Sequence, residues 1–482
     1  MQFNSIDFAI FLPIVYFLYW LVFNKSLRLQ NLFLLFCSYF FYAWWDWRFL
    51  FLIIGITVVD FFTARQIYKS DSIKTQRFFL WISIIFNLGF LFFFKYYNFF
   101  VENFVAGFSL LGIEFNVSTL NILLPLGLSF YVFQSLSYVF DVYLGKIEPT
   151  RNIIVYASFL SFFPKLVMGP IEKPGNILPQ FSNERKFDYG KTIDGLRQIL
   201  WGLFKKIVIA DNCAVYVNDI FSNYNHYSGS TLFVGALLYA FQIYCDFSGY
   251  SDISIGTARL FSFDLMRNFA YPYFSRNISE FWRRWHISLT QWLTNYIFPP
   301  IQMKYRTLGV MGNIIAIIST FLIVGLWHGA NWTFIAWGLL NGLYLVFFML
   351  INKDSHPIET ILYNRFLPSI KELIQITGTF LITIFAWIFF RSGSIHSAFE
   401  YFSKMFSKSL FSLPEVTAPK IFLLISIMIV IEWLQRDKQH GMEFSNLKFP
   451  VFIKWAFYYA VIFLIIYFGV STPKTGFIYV LF

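Results

Sequence analysis

Long apolar runs without a single charged side chain recur along this chain, among them Phe8–Phe23, Phe78–Phe94 and Trp332–Ile351. Uncharged stretches of this length suit a lipid solvent rather than water, because the hydrocarbon core is crossed by about 20 apolar helical residues. Composition agrees. Over 482 residues, charged side chains make up 13% and aromatic ones 23%, with 66 Phe. A soluble chain carries roughly twice that charge, so a soluble globular domain is excluded, and the apolar content excludes disorder.

Further apolar segments are predicted at about 31–45, 49–62, 120–140, 153–168, 193–210, 231–245, 310–327, 373–390, 421–434 and 452–470. The fold expected is all-α: a polytopic integral membrane protein of roughly 11–13 transmembrane or re-entrant helices. It reads as one membrane domain over 1–482, with N-terminal helices at 1–145, a core of interrupted helices at 146–351 and C-terminal helices at 352–482. The polar stretches at 352–372, 400–420 and 435–450 read as loops. The first apolar run has no basic residue before it and no small-residue cleavage site after it, so it reads as a retained helix.

The net charge of +11 is scattered between apolar spans, which speaks for orientation in the membrane and against nucleic acid as a partner. Lys25 and Arg28 follow the first span; Arg65, Lys69, Lys74 and Arg77 follow the third. Basic loops favour the cytoplasm, so the N-terminus is expected outside. Cys37, Cys213 and Cys245 show no metal-ligand spacing and read as buried thiols.

The middle is interrupted by Pro164, Pro170, Pro174 and Pro179 and carries Lys205 and Lys206 inside a span. Irregular or charged backbone persists at membrane depth only when buried in protein or lining a wet cavity, which makes this region the place to look for chemistry. Of six histidines, His226, His356 and His440 stand in polar surroundings and read as solvated, and His396 follows a helix end. His328 instead closes an apolar run within Gly325-Leu326-Trp327-His328-Gly329-Ala330-Asn331-Trp332, and another run follows at once. An ionisable group at that depth is a functional candidate, and imidazole, with an ordinary pKa of about 6.5, suits a general base. The alternative is a structural histidine bonded to a carbonyl. The flanking glycines leave space for a ligand or a neighbouring helix.

His286 lies in Ser279-Glu-Phe-Trp-Arg-Arg-Trp-His-Ile-Ser-Leu-Thr-Gln-Trp-Leu293. Taken as one helix, Trp282, Trp285, Leu289 and Trp292 form an apolar stripe, with Arg283, His286 and Thr290 on a polar flank. Arg283 and Arg284 then either pair with the phosphates of an acyl donor or snorkel at the interface. Tyr244-Cys-Asp-Phe-Ser-Gly-Tyr-Ser-Asp252 follows a span, and its carboxylates, Asp246 and Asp252, read as a polar network in preference to a metal site. No metal and no resident cofactor is expected.

These residues resemble the membrane-bound O-acyltransferases, and specifically the bacterial branch that O-acetylates alginate and other exopolysaccharides. The resemblance rests on Asp246–Asp252, Asn268-Phe-Ala-Tyr-Pro-Tyr273, Glu280–Leu289 and Gly325–Gly329, in that order. Phe162-Phe-Pro164, Gly169-Pro-Ile171, Phe94–Phe99, Trp387-Ile-Phe-Phe-Arg391 and Phe477-Ile-Tyr479 extend it over nearly the whole chain. It implies a ring of tilted helices around a central tunnel, with His328 catalytic, His286 a second site residue, and acetyl-CoA or another acyl thioester as donor. Arg283, Arg284, Asp246, Asp252 and Asn331 become candidate substrate- or donor-binding residues. It also implies a donor arriving from the cytoplasm, a location in the bacterial inner membrane, and an extracytoplasmic acetyltransferase or polysaccharide-modification protein as partner. One stretch departs from the branch. Where it has an Asp and later a Gly pair after the histidine helix, this chain has Asn295 and Gln302-Met303, which leaves the acceptor open. An ion-coupled secondary transporter using Asp246, Asp252 and His328 as a proton relay is the alternative; a non-catalytic scaffold for polysaccharide export is a third reading.

Overall fold

The computed structural model describes residues 1–114, 117, 119–351, 366–444, 450–471 and 476–478. Those residues are helical with no strand. In chain order the helices are α1 (Ile6–Leu21), α2 (Leu27–Asp46), α3 (Leu50–Lys69), α4 (Ile73–Leu91), α5 (Tyr97–Ser109), α6 (Leu128–Tyr143), α7 (Ile153–Ser161), α8 (Phe163–Leu166), α9 (Pro174–Ser182), α10 (Tyr189–Leu203) and α11 (Asp211–Ser222). There follow α12 (Gly229–Leu260), α13 (Ile278–Arg284), α14 (Ile287–Tyr296), α15 (Phe298–Lys304), α16 (Val310–His328), α17 (Trp332–Ile351), α18 (Ile370–Arg391), α19 (Ile395–Met405), α20 (Pro419–Leu434) and α21 (Val451–Ser471). Seven helical stretches among the described residues are long and apolar enough to cross a membrane, and the shorter α1 is apolar as well.

The chain forms two compact units: Met1–Gly195 with Thr257–Met266, and Leu196–Gly256 with Arg267–Phe482. In the first, the proline-interrupted stretch from Val155 to Glu172 is buried throughout. Pro164 stops α7 from running on, and the Phe163 amide at the restart donates to Ser38 Oγ at 3.1 Å, which satisfies a group the broken helix leaves over. The apolar segment expected at 120–140 becomes helical only at Leu128, because Gly127 takes a left-handed φ of 71° that seats it against the Leu166 carbonyl.

The second unit holds both candidate histidines. The Lys205/Lys206 segment is a π-helix, Phe204–Ala210, inserted between α10 and α11. Lys206 meets Asp246 at 2.6 Å and Asp211 at 2.8 Å, and Lys205 meets Asp252 at 2.6 Å. These pairs correct one sequence expectation. A span ending near Cys245 was anticipated, but α12 runs unbroken through both aspartates to Leu260, because each carboxylate is neutralised from the π-helix. The polar stretch at 400–420 is likewise not a single loop, since α19 reaches Met405 and a 3-10 turn covers Lys408–Phe411. The predicted loops at 352–372 and 435–450 lie partly outside the described residues.

Candidate active site

The helix expected across 279–293 is broken at the histidine. Asn277 caps α13 by accepting from the Glu280 amide at 2.9 Å. The chain leaves that helix at Trp285, passes His286 at φ 42°, ψ 55°, and starts α14 at Ile287. Left-handed backbone costs a residue with a Cβ about 1–2 kcal/mol, so neighbouring groups must hold it. The segment at 268–270 does this from both sides. The Ala270 amide donates to the Arg284 carbonyl at 2.9 Å, and the Ile287 amide to the Asn268 carbonyl at 2.9 Å. The Ser288 amide and hydroxyl both donate to Asn268 Oδ1, at 3.2 and 2.6 Å. A single polar flank carrying Arg283, His286 and Thr290 therefore does not form. His286 turns inward, 1% exposed, with Phe247 edge-on at 4.7 Å and Trp327 at 6.0 Å.

His328 closes a different kind of element. Helices α16 and α17 form a hairpin in which glycine replaces bulk at the contacts. A Cβ on Gly325 would lie 2.3 Å from the Phe334 carbonyl, and one on Gly338 2.3 Å from the Phe321 carbonyl. Close approach through small residues is how apolar helices pack when lipid competes for every methyl group. The space beside the flanking glycines thus belongs to a neighbouring helix, since a Cβ on Gly329 would also strike the Phe334 ring. His328 is 5% exposed, with Trp327 at 4.8 Å, Trp337 at 4.9 Å and Phe390 at 5.1 Å. Trp387 stacks on Trp337 at 5.7 Å and meets Trp285 at 5.0 Å, so the Trp387–Arg391 segment helps build the aromatic wall. Trp327 borders both imidazoles.

A cavity of about 1220 Å³ lies alongside, lined mostly by apolar side chains of α13, α14 and α16–α18, with Trp282, Phe321 and Val324 among them. Its cationic groups are Arg276 and Arg283. Neither His286 nor His328 lines it directly; Trp282, on its wall, reaches His328 by way of Trp337, 5.9 Å away. Arg284 does not line it. Its guanidinium donates to Glu280 at 2.6 Å, and Arg276 meets the other oxygen of the same carboxylate at 3.0 Å. Arg283 is exposed, donates to Ser279 Oγ at 3.3 Å and has no ion-pair partner among the described residues.

The chain is similar to known proteins. The family profile of the membrane-bound O-acyltransferases matches residues 149–360, the stretch that contains both histidines. The probable alginate O-acetylase AlgI of Pseudomonas putida is 37% identical over 432 residues, covering 89% of this chain and 85% of that protein. The chain belongs to the membrane-bound O-acyltransferase family. The peptidoglycan O-acetyltransferase of Helicobacter pylori is 34% identical, covering 82% of this chain and 77% of that protein. The teichoic acid D-alanyltransferase of Bacillus subtilis is 24% identical, covering 57% and 71%. As a member of this family the protein is a multi-pass membrane O-acyltransferase.

Within this acyltransferase, Asp246 and Asp252 are committed to buried ion pairs, and Asp246 also accepts from the Ile478 amide at 2.7 Å. That bond ties the Phe477–Tyr479 motif to α12; Tyr479 itself lies outside the described residues. Asn331 makes the turn before α17, accepting from the Thr333 amide at 2.9 Å and donating to the Gly393 carbonyl at 3.1 Å. His226 and His396 are exposed, as expected, and His356 lies outside the described residues. His440 is the exception. It is 1% exposed, and its Nδ1 accepts from the Met442 amide. Sequence reasoning gave no role to Glu280 or Asn268. Glu280 was accessible in principle, since it stands four residues from both Arg276 and Arg284. Asn268 had no local signal, because its partner lies 20 residues away.

Proposed function

We propose that this protein moves an acetyl group from a cytoplasmic thioester, acetyl-CoA or a carrier-bound equivalent, to a hydroxyl on the outer side of the bacterial inner membrane. The product is an O-acetylated envelope polysaccharide such as alginate, made directly or through an extracytoplasmic partner enzyme. The observation that carries the chemistry is His328, buried at the end of an apolar helix in an aromatic wall. In the reaction, the acceptor oxygen bonds to the thioester carbonyl carbon and the carbon–sulfur bond breaks. The hydroxyl proton passes to the His328 imidazole and on to the departing thiolate. A positioned base of this kind contributes about 10²–10⁴ in rate. His286, held by its clamped turn, is assigned to orientation of the acyl group. The cavity beside them supports a donor site, with Arg283 available to a phosphate-bearing donor. The choice of an envelope polymer rests on the relatives, whose names concern alginate, peptidoglycan and teichoic acid. A proton relay through Asp246 and Asp252 loses support, because lysines hold both carboxylates.

The test is acyl transfer by protein purified into sealed proteoliposomes, with labelled acetyl thioester on one side and a hydroxyl acceptor on the other. His328→Ala should abolish transfer while the protein elutes and melts like the parent; near-parental turnover overturns the base assignment. Sidedness is tested in a variant lacking Cys37, Cys213 and Cys245. A cysteine at Lys304 should react only with reagent that enters the cytoplasm, and labelling from outside intact cells reverses the donor side.

A further inference from the structure

We propose that, in the absence of donor, the large cavity of the second unit holds a glycerophospholipid of the surrounding bilayer, with an acyl chain inside and the phosphate at Arg283. This goes beyond the donor reading of the same space and does not depend on it. Size and lining point to a chain. The volume of about 1220 Å³ exceeds the roughly 300–1,000 Å³ of a drug-sized site, and an acetyl group fills little of it. The wall is more apolar than its residue types suggest. Thr320 donates to the Ala316 carbonyl at 2.7 Å, Thr379 to the Gln375 carbonyl at 2.8 Å and Thr294 to the Thr290 carbonyl at 2.9 Å. These hydroxyls are spent on their own helices. Water finds few partners in such a space; an apolar cavity of about 150 Å³ already stays dry and binds benzene. The bilayer supplies hydrocarbon at the rim. Phe347 and Ile351 line the cavity and are 68% and 63% exposed on α17, a helix long and apolar enough to cross the membrane.

The polar groups match a glycerophospholipid from the rim inward. Arg276 and Arg284 are matched by two carboxylates: Glu280 meets both, and Glu372 lies 4.0 Å from Arg276. That leaves Arg283, exposed and without an ion-pair partner among the described residues, for a phosphodiester. Trp282, its neighbour in the chain, is buried in the wall, and its Nε1 finds no acceptor among those residues. An indole nitrogen can only donate, and the ester carbonyl of a glycerophospholipid, a few atoms from the phosphate, supplies the acceptor. Phe321, 5.1 Å from the Trp282 ring, and Val324 continue the wall with apolar surface for the chain. An acetyl thioester has the phosphates but no long apolar part to cover that surface.

Gly378 makes the test specific. It lines the cavity, and a Cβ there meets nothing within 4 Å, whereas the room left by Gly325 and Gly338 is taken by backbone. A phenylalanine at 378 therefore narrows the space without displacing protein, and it suits a helix better than glycine. The experiment uses the purified full chain, without donor, in proteoliposomes of phosphatidylglycerol doped with the same lipid carrying a diazirine in one acyl chain. Photolysis should label Phe321 and Val324, 9% and 3% exposed, as well as outward residues such as Phe463 on α21. Gly378→Phe should lower the inward labelling severalfold and leave Phe463 labelled as in the parent. Arg283→Gln, an exposed change that guards against a misfolded first variant, should also lower it by weakening the hold on the phosphate. Labelling confined to outward residues, or inward labelling that neither variant lowers, would overturn the proposal.

Discussion

The two histidine segments solve the same problem by opposite means. Each must hold an imidazole inside a membrane protein. The α16–α17 hairpin does it with regular helix and missing side chains: glycines bring two backbones together, and His328 sits in the wall that results. The α13–α14 turn does it with irregular backbone and extra hydrogen bonds: His286 takes a left-handed conformation that Asn268 and Ala270 hold in place. Packing makes the first rigid, and polar bonds make the second specific. The first is therefore sensitive to added volume, the second to removed polarity.

This contrast can be broken by substitution. The largest effect is expected from His328→Ala, with acyl transfer down about 10²–10⁴-fold and thermal unfolding unchanged; equal losses in activity and in melting temperature would make His328 structural. Next comes Gly325→Ala. Its new methyl meets backbone, which cannot swing aside, so the hairpin must open at a cost of up to about 3 kcal/mol. Detergent-extracted protein should melt earlier, and its remaining folded fraction should still bind donor. Asn268→Ala should cost about 1–2 kcal/mol by stranding the Ser288 amide, and should lower turnover more than that stability loss explains, because the His286 turn loosens. If Asn268→Ala melts early but turns over normally, the clamp serves only the fold. The smallest effect is expected from Arg283→Gln. An exposed cation contributes about 1 kcal/mol or less, so the donor's KM should rise severalfold with kcat held, and the difference should shrink in high salt.

The same contrast explains what could be read from the sequence. The hairpin was legible because its signals are local: two apolar runs, a histidine at their junction and glycines one and three residues away. The broken helix was not. Trp282, Trp285, Leu289 and Trp292 recur at helical spacing, and nothing nearby forbids a helix through His286. The break is imposed by Asn268, distant in sequence and close in space. The span ending misplaced at Cys245 failed for the same reason, since Asp246 and Asp252 look like a helix's polar end until Lys205 and Lys206 arrive from another segment. Arg283 and Arg284 are neighbours with identical chemistry in the sequence; only the fold shows that Glu280 takes one of them.

Helix α12 has a consequence for the membrane itself. Its 32 residues span ~48 Å, well beyond a hydrocarbon layer of about 30 Å. Within its most apolar window 83% of residues are buried in protein, against 17% for Ile73–Ser109 and 6% for Val451–Gly469. A bilayer that thickens or thins acts on the helices it touches, which answer hydrophobic mismatch by tilting. Helix α12 is solvated by protein, so the element that presents Phe247 to His286 is insulated from that strain. Acyl transfer should consequently vary little between short-chain and long-chain lipids, even as the peripheral spans reorient.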